Sequence, residues 1–167
     1  WYNSVLKGVI GIKVALCDDN SSELLNTANI VERYLNERQH TYSLFTFLNG
    51  DDLLSHIKKY GDFDIIILDI LMPGFNGIEI AEEIREKNLS CKIIFLTNSP
   101  EYAVNSYKVD ALYYLLKPFD ENEMYMILDK AVAQIVDKSK SFLVKASGKI
   151  LRLYNTSILY IESVKHN

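Results

Sequence analysis

Two cysteines, three prolines and one tryptophan are all that 167 residues contain of these types. Cys17 and Cys91 lie far apart, each in or beside an apolar segment. A disulfide framework or a cysteine metal site is therefore not expected, and both read as reduced core residues of a cytoplasmic protein. No apolar run approaches the roughly 20 residues that span a bilayer, so a membrane partner is not expected. Basic residues are outnumbered 18 to 22, giving a net charge of −4 and little bulk attraction for nucleic acid. There is no P-loop and no GxGxxG, and His40, His56 and His166 stand away from the acidic positions discussed below.

What remains is 49% hydrophobic, enough for one sizeable core and the beginning of a second domain. Residues 1–11 show no clean period and hold the only tryptophan, and the first methionine is Met72. Without a basic start and a long apolar stretch they do not resemble a secretory signal. They are expected to be an N-terminal extension, a processed end or an expression remnant.

From Ile12 onward, strand-like and helix-like segments alternate five times. Strands are expected at Ile12–Cys17, Tyr42–Phe47, Ile65–Asp69, Lys92–Leu96 and Ala111–Leu116. The second alternates like an edge strand, and the third is the most apolar and so central. Asn20 with Glu23, and Asp120 with Glu123, have the spacing of helix capping boxes. The intervening helices show apolar faces at Leu24, Ala28, Val31 and Leu35, at Leu53, Leu54 and Ile57, and at Ile80, Ala81 and Ile84. Pro100 suits the first turn of a fourth helix running to about Lys108. Met124, Ile127, Leu128, Ala131 and Ile135 line a fifth. Such alternation implies an α/β fold, a flavodoxin-like doubly wound sheet of five parallel strands in the order 2-1-3-4-5, spanning 12–137. Residues 138–141 read as a linker. Phe142–Lys145, Ile150–Tyr154 and Ile158–Ile161 then read as strands without helices between them, so 142–167 is expected to open an incomplete all-β unit.

In that strand order the ends of strands 1 and 3 adjoin, which brings Asp18, Asp19 and Asp69 together with Thr97 and Lys117 facing them. Three carboxylates this close cannot comfortably all ionise, and a hard divalent cation resolves the conflict. Mg²⁺ favours such a set, with water and a phosphate completing its octahedron. An ionised Asp69 is then an oxygen nucleophile for phosphorus that needs no general base. The metal, Lys117 and the hydroxyl and backbone amides at Thr97–Asn98 would neutralise the three equatorial oxygens.

Asp18-Asp19, Asp69-x-x-Met72-Pro73-Gly74, Thr97 and Tyr114-x-x-Lys117-Pro118 resemble, in order and register, the receiver domains of two-component response regulators (CheY-like folds). The resemblance implies that Asp69 accepts a phosphoryl group from a sensor histidine kinase. It implies that Asp19 ligates Mg²⁺ directly, Asp18 mainly through water, and Leu71 through its backbone carbonyl. Thr97 and Lys117 would bind phosphoryl oxygens, and Tyr114 would be the switch residue that turns inward with Thr97. The Lys117-Pro118 bond would be cis. Phosphorylation would favour a homodimer through the helix 4–strand 5–helix 5 face. There Tyr113 replaces the aspartate common in such regulators, and Tyr102, Tyr107, Tyr113 and Tyr125 offer an aromatic version of that contact.

Phe142 to Lys145, Gly148 to Ile150 and Ile158 to Ser163 resemble the opening strands of a LytTR-type (LytR/AgrA-like) DNA-binding domain. The protein is thus expected to be a phosphoacceptor signalling protein, not an enzyme, that controls transcription. DNA would be read through the complete output domain, whose base-reading elements would lie beyond Asn167. Two other functions compete. An aspartyl-phosphate phosphatase or phosphotransferase would often place a second acid two residues after the nucleophile, where this chain has Leu71. A receiver acting only as an interaction module would have no need of the acid–Thr–Lys set.

Overall fold

Ile65, Ile66, Ile67 and Leu68 are all buried, and they form the central strand of the sheet. Strands covered on both faces take such unbroken apolar runs, because every side chain meets a helix layer. The computed structural model describes residues 11–74, 76–87, 90–139, 141–146 and 149–154, from 136 onward by backbone alone. In chain order the elements are β1 (Ile12–Cys17), α1 (Ser21–Glu37), β2 (Tyr42–Phe47), α2 (Gly50–Tyr60), β3 (Ile65–Leu68) and α3 (Gly77–Glu86). Then follow β4 (Lys92–Thr97), α4 (Ala103–Ser106) with a 3₁₀ turn at Tyr107–Val109, β5 (Tyr113–Leu116), α5 (Glu121–Ser139), β6 (Ser141–Ala146) and β7 (Lys149–Tyr154). The five-stranded sheet has the order β2-β1-β3-β4-β5, parallel throughout, as the alternation implied.

Ala15, Cys17, Ile66, Leu68, Ile93 and Phe95 pack with Leu53 and Ile57 of α2 and Ile80, Ala81 and Ile84 of α3. The alternate residues Val14, Leu16, Ile65, Ile67, Ile94 and Leu96 are also buried, and period 2 turns them to the other face. On α1 the buried stripe is Leu24, Ala28, Val31, Tyr34 and Leu35. Tyr34 meets Tyr125 of α5 edge-on at 5.2 Å, and Arg33 pairs with Glu121 at 2.8 Å. Tyr125 thus stands with α1, and Tyr102 packs against the core, so the proposed aromatic set does not share one surface.

Four local expectations differ from the structure. Glu23 does not close a capping box: Asn20 caps α1, but its own amide donates to Asp18. Asp120 takes the Asn122 amide at 2.7 Å, and a complete box stands instead at Asn76–Glu79, where the Pro/Gly-rich loop hid it. The fourth helix begins at Ala103, not in the turn of Pro100, and tightens to 3₁₀ after Ser106. The expected linker is helical through Ser139, because Asp137-Lys138-Ser139 is polar but holds no glycine or proline to stop α5. The chain divides into two compact units, 1–127 and 128–167, the second holding the end of α5 and the antiparallel β6–β7 pair. The third expected strand there, Ile158–Ile161, and residues 1–10 lie outside the described residues.

Gly77 opens α3 against the end of β3. A Cβ there would lie 2.1 Å from the Asp69 carbonyl oxygen and 2.9 Å from the Ile70 Cα, both backbone atoms that cannot swing aside. Gly77→Ala should therefore lower stability by about 1–3 kcal/mol, read as a reduced urea midpoint. An unchanged midpoint would mean that α3 slides freely away from β3.

The Cys17 thiol is pushed up from 9.0 to about 12, first by burial and then by the charges of Asp18 and Asp69. Burial also raises Cys91, against the pull of Arg85. The folded thiols keep protons that unfolded thiols lose, so stability should fall as pH rises from about 9 toward 12. At about pH 8.5 the native protein should show no thiol reacting within minutes with a disulfide reagent, and both thiols after denaturation. A fast native thiol would contradict the core placement.

Candidate phosphoacceptor site

The site residues stand one position past the strands, and each is fixed by a last rung of the sheet. The Asp18 amide donates to the Phe47 carbonyl at 3.1 Å, the Asp69 amide to Cys17 at 2.9 Å, and the Lys117 amide to Thr97 at 2.9 Å. Backbone pairing thus continues through the residues that carry the charges. It also aims them at one edge, the carboxyl edge, where open α/β sheets bind their ligands.

Carboxylate oxygens of Asp18, Asp19 and Asp69 lie within 4.8 Å of one another. Asp18 and Asp69 are buried, whereas Asp19 is exposed. The Lys117 ammonium reaches Asp18 Oδ2 at 2.7 Å and Asp69 Oδ2 at 3.3 Å, and it also donates to Glu23 Oε2. Burial on its own would lower the Lys117 pKa. Hydrogen bonds to Asp18 and Glu23 and the charge of Asp69 outweigh that and lift it to about 12, so the ammonium stays charged. The other oxygen of Asp18 accepts the Asn20 amide at 2.8 Å, and that of Asp69 accepts the Leu71 amide at 3.2 Å. Among the described residues no buried side-chain polar atom lacks a partner.

The donor set fits a hard divalent cation: three carboxylates on two neighbouring strand ends, one open to water. Of the residues expected here, Asp18, Asp19, Asp69 and Lys117 converge. Thr97 is fully buried at the end of β4, and its hydroxyl accepts the Ser99 amide at 3.4 Å. Tyr114 donates its hydroxyl to the Ser99 carbonyl, so Ser99 lies between the two. Burial raises the Tyr114 phenol pKa. The Leu71 side chain is exposed, and its amide is the group that touches Asp69. The Lys117–Pro118 peptide is cis, as the resemblance implied. Glu23 and Ser99 were not foreseen as site residues. Glu23 reads from the sequence as a capping residue, and its partner Lys117 stands 94 positions away, so no local spacing signals the contact.

A cavity of about 310 Å³ opens beside Lys117, lined by Glu23, Asn26, Thr27, Asn98 and Phe119 among others. A second, of about 530 Å³, runs along α4 and β5, with Tyr107, Tyr113 and Leu116 on its walls.

The sequence matches the response regulator receiver domain family over residues 14–129. The sensory transduction protein LytT of Oceanobacillus iheyensis is 40% identical over 84 residues, 49% of this chain and 34% of that protein. LytT of Bacillus anthracis is 34% identical over 71% of this chain and 46% of its own length. The transcriptional regulatory protein NatR of Bacillus subtilis is 26% identical over 90% of this chain and 64% of its own. This chain covers less than two-thirds of each of these relatives. Among solved structures, the BeF3-activated DrrB receiver domain has a TM-score of 0.59 at 25% identity, over 74% of this chain and 99% of that one. The response regulatory domain of mrkE from Klebsiella pneumoniae shares the fold, with a TM-score of 0.67 at 24% identity over 74% and 97%. Among the described residues no helix is long and apolar enough to cross a membrane. The chain therefore belongs to the response-regulator receiver family of two-component signalling, with LytT-type and LytR-type regulators among its relatives.

Proposed function

We propose that this is a phosphorylation-switched transcriptional regulator in which Asp69 accepts a phosphoryl group from a sensor histidine kinase. The observation that carries the reading is the convergence of Asp18, Asp19 and Asp69 on one point, with the buried Lys117 ammonium against two of them. A carboxylate of Asp69 attacks phosphorus in line, and the phosphorus–nitrogen bond to the donor imidazole breaks. That imidazole takes up a proton as an acyl phosphate forms on Asp69.

Mg²⁺, when bound, would neutralise one phosphoryl oxygen. Asp19, exposed and with oxygens open to a ligand, is the direct metal ligand in this reading. Asp18, with one oxygen on the Asn20 amide and the other on Lys117, acts through water. The Leu71 carbonyl adds a backbone ligand. Lys117 neutralises a second phosphoryl oxygen and Thr97 binds a third, which requires its hydroxyl to leave the Ser99 amide. Tyr114 shares Ser99 with Thr97, and this supports a switch in which both change together. The same residues would promote the protein's own phosphorylation and dephosphorylation.

Residues 12–137 serve as the receiver, and 142–167 begin a LytTR-type DNA-binding domain. The β6–β7 pair supports that reading of the tail. The output domain in full would bind DNA, in the cytoplasm, as a homodimer joined through the α4–β5–α5 face. Tyr107, 85% exposed, and Tyr113 beside the 530 Å³ groove support that face.

Incubation with Mg²⁺ and acetyl phosphate should place one acid-stable, base-labile and hydroxylamine-sensitive phosphate on the wild type and none on Asp69→Asn. Label of that kind on the variant, or none on the wild type, would overturn the assignment. Tyr114→Ala should keep at least about half the labelling rate yet lose phosphorylation-dependent dimerisation, read by light scattering. Equal dimerisation would remove Tyr114 from the switch.

A further inference from the structure

We propose that Glu23 is a positioning residue for Lys117. It holds the ammonium while a divalent cation occupies the aspartates, and it competes with an incoming phosphoryl group for that same ammonium. The inference rests on the reading of Asp69 as the phosphoacceptor.

Glu23 occupies the third position of α1, where a capping-box glutamate returns to the amide of the N-cap residue. In α3 the chain does this: Glu79 accepts the Asn76 amide at 3.0 Å. In α1 it does not. The Asn20 amide is occupied by Asp18 at 2.8 Å, and the Glu23 carboxylate turns to Lys117 instead. Two helices of one protein with the same spacing therefore send the glutamate to different partners. The difference is the buried ammonium that α1 faces.

Lys117 meets three carboxylates, those of Asp18, Glu23 and Asp69. Two of these belong to the cluster that suits a metal, and Glu23 does not. A cation on that cluster weakens the attraction of Asp18 and Asp69 for the ammonium, and Glu23 is the partner left to hold it. A phosphoryl group on Asp69 then needs Lys117, while the Glu23 charge both repels the group and retains the lysine. The Glu23 side chain is 39% exposed against 8% for Lys117, and the 310 Å³ cavity gives it room to withdraw.

The test compares wild type with Glu23→Gln, Glu23→Ala and Glu23→Asp in the full chain. Titration with Mg²⁺ alone should show Glu23→Gln and Glu23→Ala binding roughly three- to tenfold more weakly, since Lys117 falls back on the aspartates and a negative charge is gone. At saturating Mg²⁺, labelling by acetyl phosphate should be faster in the same two variants by a similar factor. Glu23→Asp, which keeps the charge, should recover the Mg²⁺ affinity. A purely structural role would move the urea midpoint and leave Mg²⁺ affinity and labelling rate at wild-type values, and that result overturns the inference alone. A wild type that binds Mg²⁺ but takes no label overturns the phosphoacceptor reading, and with it the competition at Lys117.

Discussion

One buried ammonium makes the carboxyl edge of this sheet possible. Asp18 and Asp69 are each only 7% exposed by side chain, a poor place for two carboxylates without a counter-charge. Lys117 supplies it from β5, two strands away from β3 in the sheet. The same cation draws Glu23 across from α1. A centre of this kind does little for net stability, because desolvating the charges offsets much of their attraction. Its value is that every member has another chemical partner available. Asp18 and Asp69 stand in the cluster that suits a metal, and the ammonium complements any anionic oxygen brought to that edge.

Much of the frame was legible in the sequence because each strand is read on a single scale. The unbroken apolar run Ile65–Leu68 pointed to the centre, and Tyr42–Phe47, where Ser43 and Thr46 are exposed and the rest half-buried, pointed to an edge. The strand order then placed Asp18, Asp69 and Lys117 at one edge without further information. Where the reading failed, local chemistry had been overruled from a distance. The Asn20/Glu23 spacing is a sound capping signal, but Lys117 stands 94 residues on and no local pattern announces it. The stretch Asp137-Lys138-Ser139 looks like a linker in composition, yet a helix persists through polar residues when nothing breaks it.

Helix 4 illustrates a different limit. Its α-helical part is four residues long, and a 3₁₀ turn follows it to Val109. Arg85 of α3 grips the end of that turn, donating to the Val109 carbonyl at 2.7 Å and the Asp110 carbonyl at 3.2 Å, and ties it to the Cys91 carbonyl just before β4 at 3.1 Å. Asp110 adopts a left-handed conformation, φ 49°, to end it. No periodicity marks so short an element. Tertiary contacts flank it on both sides, Arg85 at its far end and the Tyr114 hydroxyl on the Ser99 carbonyl ahead of its near end.

The rungs that hold Asp18, Asp69 and Lys117 also restrict how this fold can change in length. Side chains alternate across a sheet, so one residue added to β1, β3 or β5 would send a charged group to the opposite face and about 3.3 Å along the strand. The connections at the other edge, such as the Gly61 turn or the segment before β2, bear no such constraint. Length changes inside those three strands are therefore incompatible with the site. The strands act as rulers whose marks are counted backwards from the carboxylates.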